Sequence, residues 1–310
     1  MILESIRLYT QFLAQKGVDS PRLQAELLLA HALGVPRLNL YLDFQRMLSG
    51  EEVDTVSRLV SRRGNREPLQ HILGTASFCG LEMLVSPMVL IPRPETELLA
   101  ERAWQFLQTN PALSRGSSVL DFGTGSGCLA IAIAVYCPTA KVHAIDISTD
   151  AIAVARTNAL RHQVADRIHF CAGDGFAALP HGLVFDLLVA NPPYIPTAQI
   201  GQLQPEVGVF EPRLALDGGP EGLDFYRKLA DQAPAFLRPQ GRLMMEIGDG
   251  QAKPVLEWFS APPWQLEAMV KDDSGRLRIV QAARHDSSPV NEIPIAQSGA
   301  KPDYGRQRDR

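Results

Sequence analysis

The sequence predicts a small all-helical domain followed by a doubly wound α/β domain, on three observations. Apolar residues recur at helical spacing as far as residue 74, short strand-like runs follow, and from residue 93 onward strand-like and helix-like segments alternate. With 310 residues, each part is long enough to bury a core of its own.

The first part begins with Ile2, Ile6, Tyr9 and Leu13 on one helical face. Ser20-Pro21 reads as an N-cap and a first-turn proline, leading through Leu23, Leu27 and Ala30 to a stop at Gly34. Val53, Val56 and Val60 repeat the spacing before Gly64. The runs FCGLEMLV and MVLI, punctuated by Gly80 and Pro87, then suggest a hairpin over residues 75–92 that links two domains. A helix starting near Pro94 has Leu99, Ala103 and Phe106 on its buried side. Beyond it the strand-like segments are SVLDFG, KVHAIDI, IHFCAG, FDLLVANPPY, GRLMMEIG and RLRIVQAA, separated by helical runs such as GCLAIAIAVY and AIAVARTNAL. The continuous apolar character of LLVA and LMMEI fits strands covered on both faces. This catalytic-sized domain spans 93–284, and the polar, Pro/Gly/Ser-rich residues 285–310 read as a disordered tail.

Composition narrows the function classes. Hydrophobic residues make up 45% and charged residues 21% of the chain, with a net charge of -4, so wholesale disorder and a strongly basic nucleic-acid binder are both excluded. Through Val85, nine basic residues are balanced by nine acidic ones. The N-terminus has Glu4 and Arg7 breaking its apolar residues and is not a targeting signal, and no apolar run is long enough for a membrane span, so a soluble, cytoplasmic protein is expected. Cys79, Cys128, Cys137 and Cys171 form no C-x-x-C pair, and the seven histidines lack ligand spacing, so neither a disulfide nor a metal site is expected.

The first strand of the α/β domain runs into Asp121-Phe122-Gly123-Thr124-Gly125-Ser126-Gly127 and directly into a helix. Glycines there let backbone approach a ligand, and the helix start offers unpaired N–H groups. A dinucleotide fingerprint needs G-x-G-x-x-G, and its third glycine would fall at Cys128. The observed G-x-G-x-G instead suits a compact adenosyl ligand carrying an amino acid. Asp146, nineteen residues after Gly127 at the end of the next strand, is placed to accept hydrogen bonds from ribose hydroxyls. The strand after that ends in Gly173-Asp174-Gly175-Phe176, beside the expected adenine, where Asp174 can meet the exocyclic amine and Phe176 can stack or fill core. An ordinary tight turn explains one glycine. Three alternating glycines with a strand-terminal Asp put S-adenosyl-L-methionine (AdoMet) ahead of NAD.

FDLLVA ends in Asn191-Pro192-Pro193-Tyr194, at the strand end where open α/β sheets bind ligands. Proline lacks an N–H and restricts the residue before it, so the segment is a fixed array of acceptors: the Asn191 side-chain carbonyl and the backbone carbonyls of Asn191 and Pro192. Such an array suits a planar NH2 group aimed at a sulfonium methyl, with Tyr194 as an aromatic platform. Asn-Pro is also a common turn signal, and the position in the sheet favours the functional reading.

DFGTGSG, AIDIS and NPPY together resemble AdoMet-dependent methyltransferases that act on planar amino groups. More specifically, REPLQHILG (66–74), VLIPRPETELL (89–99), VANPPYI (189–195) and EPRLALDGGPEGLDFY (211–226) resemble the protein-glutamine N5-methyltransferases of peptide chain release factors, the PrmC/HemK family. The similarity covers about residues 1–284. It implies a Rossmann-like seven-stranded methyltransferase domain, preceded by a helical domain, 1–74, that helps bind the release factor. Carried over by position, Gly123, Thr124, Gly125, Ser126, Gly127, Asp146, Asp174, Gly175 and Asn191 bind cofactor, and Asn191, Pro192, Pro193 and Tyr194 hold the glutamine of a Gly-Gly-Gln motif. Gly175 stands where some members place an aromatic residue against adenine, which leaves a ring contact there, and its replacement by Phe176, open.

Arg93-Pro94-Glu95-Thr96-Glu97 fits a helix start as well as a ligand contact. Glu211-Pro212 and the glycines after it fit an active-site cover or a plain connection, and Glu246 is a polar residue on a buried-looking strand. The competing function is an adenine amino-methyltransferase on DNA or RNA, for which Arg62, Arg63 and Arg66 form too small a basic cluster. The expected state is a monomer acting on a protein, without direct nucleic-acid binding.

Overall fold

The structure is a computed structural model describing residues 1–285 and the backbone of 295–296. Its residues group into two compact units: residues 1–75 with 202–211, and 76–201 with 212 onward.

The first unit is helical: α1 (Ile2–Gln15), α2 (Pro21–Leu33), α3 (Asn39–Leu42), α4 (Gly50–Gly64) and α5 (Leu69–Leu73). Ile2, Ile6, Tyr9 and Leu13 form the buried face of α1 and pack into one cluster with Val56 and Val60 of α4. Ser49 and Glu52 close a capping box at the start of α4.

Three local expectations change. On α2 the buried residues are Ala25, Glu26, Leu28, Leu29 and Ala30, so Ala30 is buried as expected whereas Leu27 is half-buried and Leu23 exposed, because a helix apolar on several sides has no single phase to read. Ser20 has a left-handed backbone and its hydroxyl caps nothing, although Gly34 does end the helix in the left-handed conformation. Gly64 is the last residue of α4 and serves packing, since a Cβ there would lie 2.5 Å from the Phe12 ring.

Residues 202–211, which contain the short α9 (Pro205–Gly208), complete this unit. Glu206 accepts from Arg66 Nε at 2.6 Å and Nη2 at 2.7 Å, and from Arg63 Nη2 at 2.8 Å; Arg62 is bound by Glu67. All three arginines are therefore ion-paired within the unit.

The second unit opens with a hairpin, β1 (Thr75–Phe78) and β2 (Leu81–Leu84), turning through Cys79 and Gly80, both with positive φ. Met88–Ile91, expected as a strand, is turn and irregular backbone. Then come α6 (Pro94–Thr109), β3 (Ser117–Phe122), α7 (Cys128–Tyr136), β4 (Ala140–Asp146), α8 (Thr149–Arg161), β5 (Ile168–Ala172), β6 (Phe185–Ala190), α10 (Asp224–Gln232), β7 (Leu237–Glu246), α11 (Ala252–Phe259), β8 (Trp264–Lys271) and β9 (Leu277–Arg284). On α6, Leu99 and Ala103 are buried as expected, while Phe106 is half-buried beneath the Arg242 guanidinium.

The main sheet has the order β8-β9-β7-β6-β3-β4-β5, with β5, β4, β3, β6 and β7 parallel and β9 antiparallel to both β7 and β8. This is the mixed seven-stranded sheet that the resemblance implies. A two-residue strand, β10 (Ile295–Ala296), pairs parallel with β8. The remainder of the expected disordered tail lies outside the described residues.

The chain order reverses between β3 and β6. Phe122 pairs with Ala190 and Ala190 with Met245, so the residues just past these pairs, Gly123, Asn191 and Glu246, share one edge of the sheet. Helices on both faces bury the strands, and every residue of β6 is buried.

Candidate active site at the switch point

A pocket at this edge is lined by Gly123 and Gly125, by Asp146, Ile147 and Ser148, by Asp174 and Gly175, by Asn191, Pro192 and Pro193, and by Met88, Leu214 and Lys228. Open α/β sheets bind ligands at such a reversal of strand order.

One wall is the glycine loop. Gly123, Gly125 and Gly127 have φ of 74°, 54° and 82°, which only glycine adopts without strain. Their surroundings differ. A Cβ on Gly123 or Gly125 would meet nothing within 4 Å, which leaves their backbone open to a ligand, whereas a Cβ on Gly127 would come within 3.0 Å of Ala155 on α8. The side chains of Thr124 and Ser126 are buried, and Thr124 Oγ1 donates to Asp121 Oδ2 at 2.6 Å. Asp121 Oδ2 also accepts from Ala130 N at 3.1 Å, so this carboxylate ties the loop to α7. Burial pushes the Asp121 carboxyl up to about 7. Thr124, Ser126 and Gly127 thus shape the loop, and Gly123 and Gly125 face the pocket.

Asp146 closes this wall. Its Oδ2 accepts from Gly125 N at 2.8 Å and its Oδ1 from Ser148 N at 2.9 Å. Each carboxylate oxygen keeps a lone pair for a ribose hydroxyl. Burial raises its pKa, opposed by these backbone N–H groups. Asp174 is exposed and bound by Lys228 Nζ at 2.6 Å. At Gly175, φ is 56° and a Cβ would lie 2.9 Å from Lys228 Nζ. Phe176 is core: it packs on Phe122 and stacks on Phe236 at 4.6 Å between centroids. Of the two roles open to Phe176, packing is the one it takes.

The opposite wall is the Asn191 corner. Asn191 Nδ2 donates to Thr96 Oγ1 at 2.9 Å, and Thr96 Oγ1 donates to Glu246 Oε2 at 2.6 Å. Thr96 lies in the first turn of α6, within RPETE, and is buried, as is Glu246. Burial pushes the Glu246 carboxyl up to about 7. Among the described residues no hydrogen bond is made to Asn191 Oδ1 or to the backbone carbonyls of Asn191 and Pro192.

Tyr194 sits further inside than the reading of an aromatic platform implied. Its hydroxyl is 3.4 Å from Glu246 Oε1, and its ring lies where a Cβ on Gly248 would approach within 2.9 Å. Burial holds its phenol well above the ordinary range. Gln251 Nε2 donates to the Tyr194 carbonyl at 2.9 Å, which fixes the backbone after the two prolines.

The segment after Pro212 does more than connect. Ile195 N donates to Leu216 O and Gly218 N to Ile195 O. A Cβ on Gly218 would lie 2.8 Å from Pro193 O, and one on Gly222 would lie 2.2 Å from Tyr194 O. These glycines let the loop lie directly on the Asn-Pro-Pro-Tyr backbone, while Pro212, Leu214 and Ala215 line the pocket. Sequence reasoning missed Lys228 and Gln251, and reached Thr96, Gly218 and Gly222 only within stretches whose role it left open. The local signals are RPETE for Thr96 and GGPEG for the two glycines.

A glycine loop and an acceptor corner on adjoining strands, in a sheet of this order, define an AdoMet-dependent methyltransferase. Residues 98–203 match the methyltransferase small domain family and residues 4–74 the PrmC N-terminal domain. The release factor glutamine methyltransferase of Geobacter sulfurreducens is 48% identical over 87% of this chain and 92% of its own length. That of Chlorobaculum tepidum is 46% identical over 81% and 87%. The chain belongs to the release factor glutamine methyltransferase family. Among solved structures, the hMettl16 catalytic domain in complex with an RNA hairpin matches with a TM-score of 0.53 at 16% identity, over 78% of this chain and 85% of that one, a likeness of fold alone.

Proposed function

We propose that the chain methylates the side-chain amide nitrogen of the glutamine in the Gly-Gly-Gln motif of peptide chain release factors, with AdoMet as methyl donor. Family membership carries the reaction class and cofactor. The observation that carries the site is the Asn191 corner, where three carbonyls accept no hydrogen bond among the described residues and stand beside an open glycine loop.

When bound, AdoMet would supply a methyl group on a sulfonium: as the N–C bond forms the S–C bond breaks, a neutral thioether leaves without an acid, and the amide nitrogen gives up one of its two protons. Gly123 and Gly125 take the cofactor's amino-acid and sulfonium end, Asp146 its ribose, and Asp174 and Gly175 its adenine. Thr124, Ser126 and Gly127 act by holding the loop. The glutamine NH2 is held by Asn191 Oδ1 and the carbonyls of Asn191 and Pro192, with Pro193 and Tyr194 fixing their direction. An amide nitrogen is a poor nucleophile because its lone pair is delocalised. Acceptors matched to a nitrogen becoming tetrahedral stabilise the transition state more than the ground state, and fixed carbonyls need no reorganisation as that happens. Orientation supplies the rest of the rate.

The helical unit is read as the release-factor-binding domain, 75–92 as the linking hairpin and 93–284 as the catalytic domain. The enzyme is read as a cytoplasmic monomer that does not bind nucleic acid directly. Among the described residues no helix is long and apolar enough to cross a membrane. The internally paired Arg62, Arg63 and Arg66 support the protein substrate over a phosphate backbone.

Purified protein with labelled AdoMet is expected to place one methyl group on a bacterial release factor, and none on its Gly-Gly-Gln→Gly-Gly-Ala variant. Labelling of duplex DNA or RNA with the release factor unlabelled overturns the reading.

A further inference from the structure

The Asn191 amide has a donor end and an acceptor end, and only the acceptor end suits an incoming NH2 group. Something must decide which end faces the pocket. The Asn191 Nδ2 to Thr96 Oγ1 bond at 2.9 Å, followed by the Thr96 Oγ1 to Glu246 Oε2 bond at 2.6 Å, has one consistent direction while Glu246 is ionised. A carboxylate only accepts, so the single Thr96 proton points at it, and the Thr96 oxygen is left to accept from Asn191.

We propose that Thr96 and Glu246 are positioning residues for methyl transfer: the Glu246 carboxylate orients the Thr96 hydroxyl, which captures the Asn191 NH2 and turns Asn191 Oδ1 toward the substrate amide. The inference rests on the reading of Asn191 as an amide acceptor. It also gives RPETE a role beyond starting a helix, because the first turn of α6 delivers Thr96 to β6 and β7.

A protonated Glu246 can donate to Thr96. The Thr96 proton is then free to point at Asn191 Oδ1, and the amide turns its NH2 toward the substrate's own NH2. Glu246 lies within the influence of Glu95 on α6, Arg278 on β9, Tyr194 after β6, Cys128 on α7 and Tyr226 on α10. Arg278 favours the charged form, while burial, the dominant effect, and Glu95 favour the neutral one, so protonation falls near neutrality. Neither a carboxamide nor a sulfonium titrates there. The rate of methyl transfer should therefore rise with pH through about 7, as Glu246 loses its proton. Saturating AdoMet separates this from Asp121, which titrates in the same range beneath the glycine loop.

The test is single-turnover methylation of a release factor at saturating AdoMet from pH 6 to 9, with AdoMet affinity measured in parallel. Thr96→Val is expected to lose about tenfold to a hundredfold in rate with affinity within twofold, and Thr96→Ser to restore most of the rate. Glu246→Gln is expected to flatten the pH profile. A wild-type-like rate in Thr96→Val, or an unchanged ionisation in Glu246→Gln, overturns the relay. Should Thr96→Val not fold, Thr96→Ser and the two pH profiles decide. Full turnover by Asn191→Ala would instead overturn the acceptor reading beneath it, so the two failures are distinct.

Discussion

The two walls of the pocket are built by opposite means. The glycine loop is almost all backbone: three residues at positive φ, an adjoining helix start, and the carboxylates Asp121 and Asp146 holding it in place. In the Asn191 corner two backbone carbonyls are joined by side chains that converge from α6, from the end of β6 and from β7, with Thr96 and Glu246 150 residues apart. A wall made of backbone dihedrals is written in a short stretch of sequence. In the other wall Asn-Pro-Pro-Tyr is contiguous too, but the side-chain contacts that orient it are written in no single stretch. On the proposed reading the same contrast separates binding from rate, with the open loop gripping the cofactor and the oriented acceptors acting on the transition state.

The largest expected effect tests that separation. Asn191→Ala should lose about a hundredfold or more in turnover while AdoMet affinity changes far less, as for removal of a preorganised transition-state group. Equal losses in a binding titration and a single-turnover assay would make Asn191 a cofactor ligand and erase the contrast.

Asp146→Ala should show the reverse. It removes a charged acceptor for ribose and also frees Gly125 N, and hydrogen bonds to charged groups are worth about 1.5–3 kcal/mol each. AdoMet should bind about tenfold to a hundredfold more weakly by calorimetry, with the rate at saturation largely kept. A Kd within twofold of wild type would exclude Asp146 from the cofactor site.

The smallest effect divides the glycine loop against itself. Gly125→Ala should destabilise the catalytic unit by about 1 kcal/mol from its positive φ alone, whereas Gly127→Ala should cost about 2–3 kcal/mol, since its Cβ also meets Ala155. Chemical denaturation of both variants measures the difference. Equal losses would mean that α8 gives way at Ala155.

Legibility followed the same division. The face of α1, the alternation of strands and helices and the glycine loop were all readable, because periods of two and 3.6 and positive φ are local properties. The α2 face was not, since LQAELLLAHAL is apolar in several directions and its phase is set by its neighbours. The strand Trp264–Lys271 falls outside the alternation read from the sequence: it pairs antiparallel with β9 and so needs no helix between them. Tyr194 was read as an aromatic platform of the corner, and its ring turns inward to Glu246 and Gly248, a direction that packing chose.

By itself, then, the sequence determined the fold class, the glycine loop, the place of Asn-Pro-Pro-Tyr at a strand end and the family, because each resides in contiguous runs whose backbone chemistry is fixed by residue type. Only the tertiary structure decided that Phe176 is core, that Gly218 and Gly222 make room for the Asn-Pro-Pro-Tyr backbone, and that Thr96 joins Asn191 to Glu246. The reason is register. Pairing Phe122 with Ala190 and Ala190 with Met245 brings distant strand ends to one edge, and a hydrogen bond between side chains there depends on distances that no local pattern encodes.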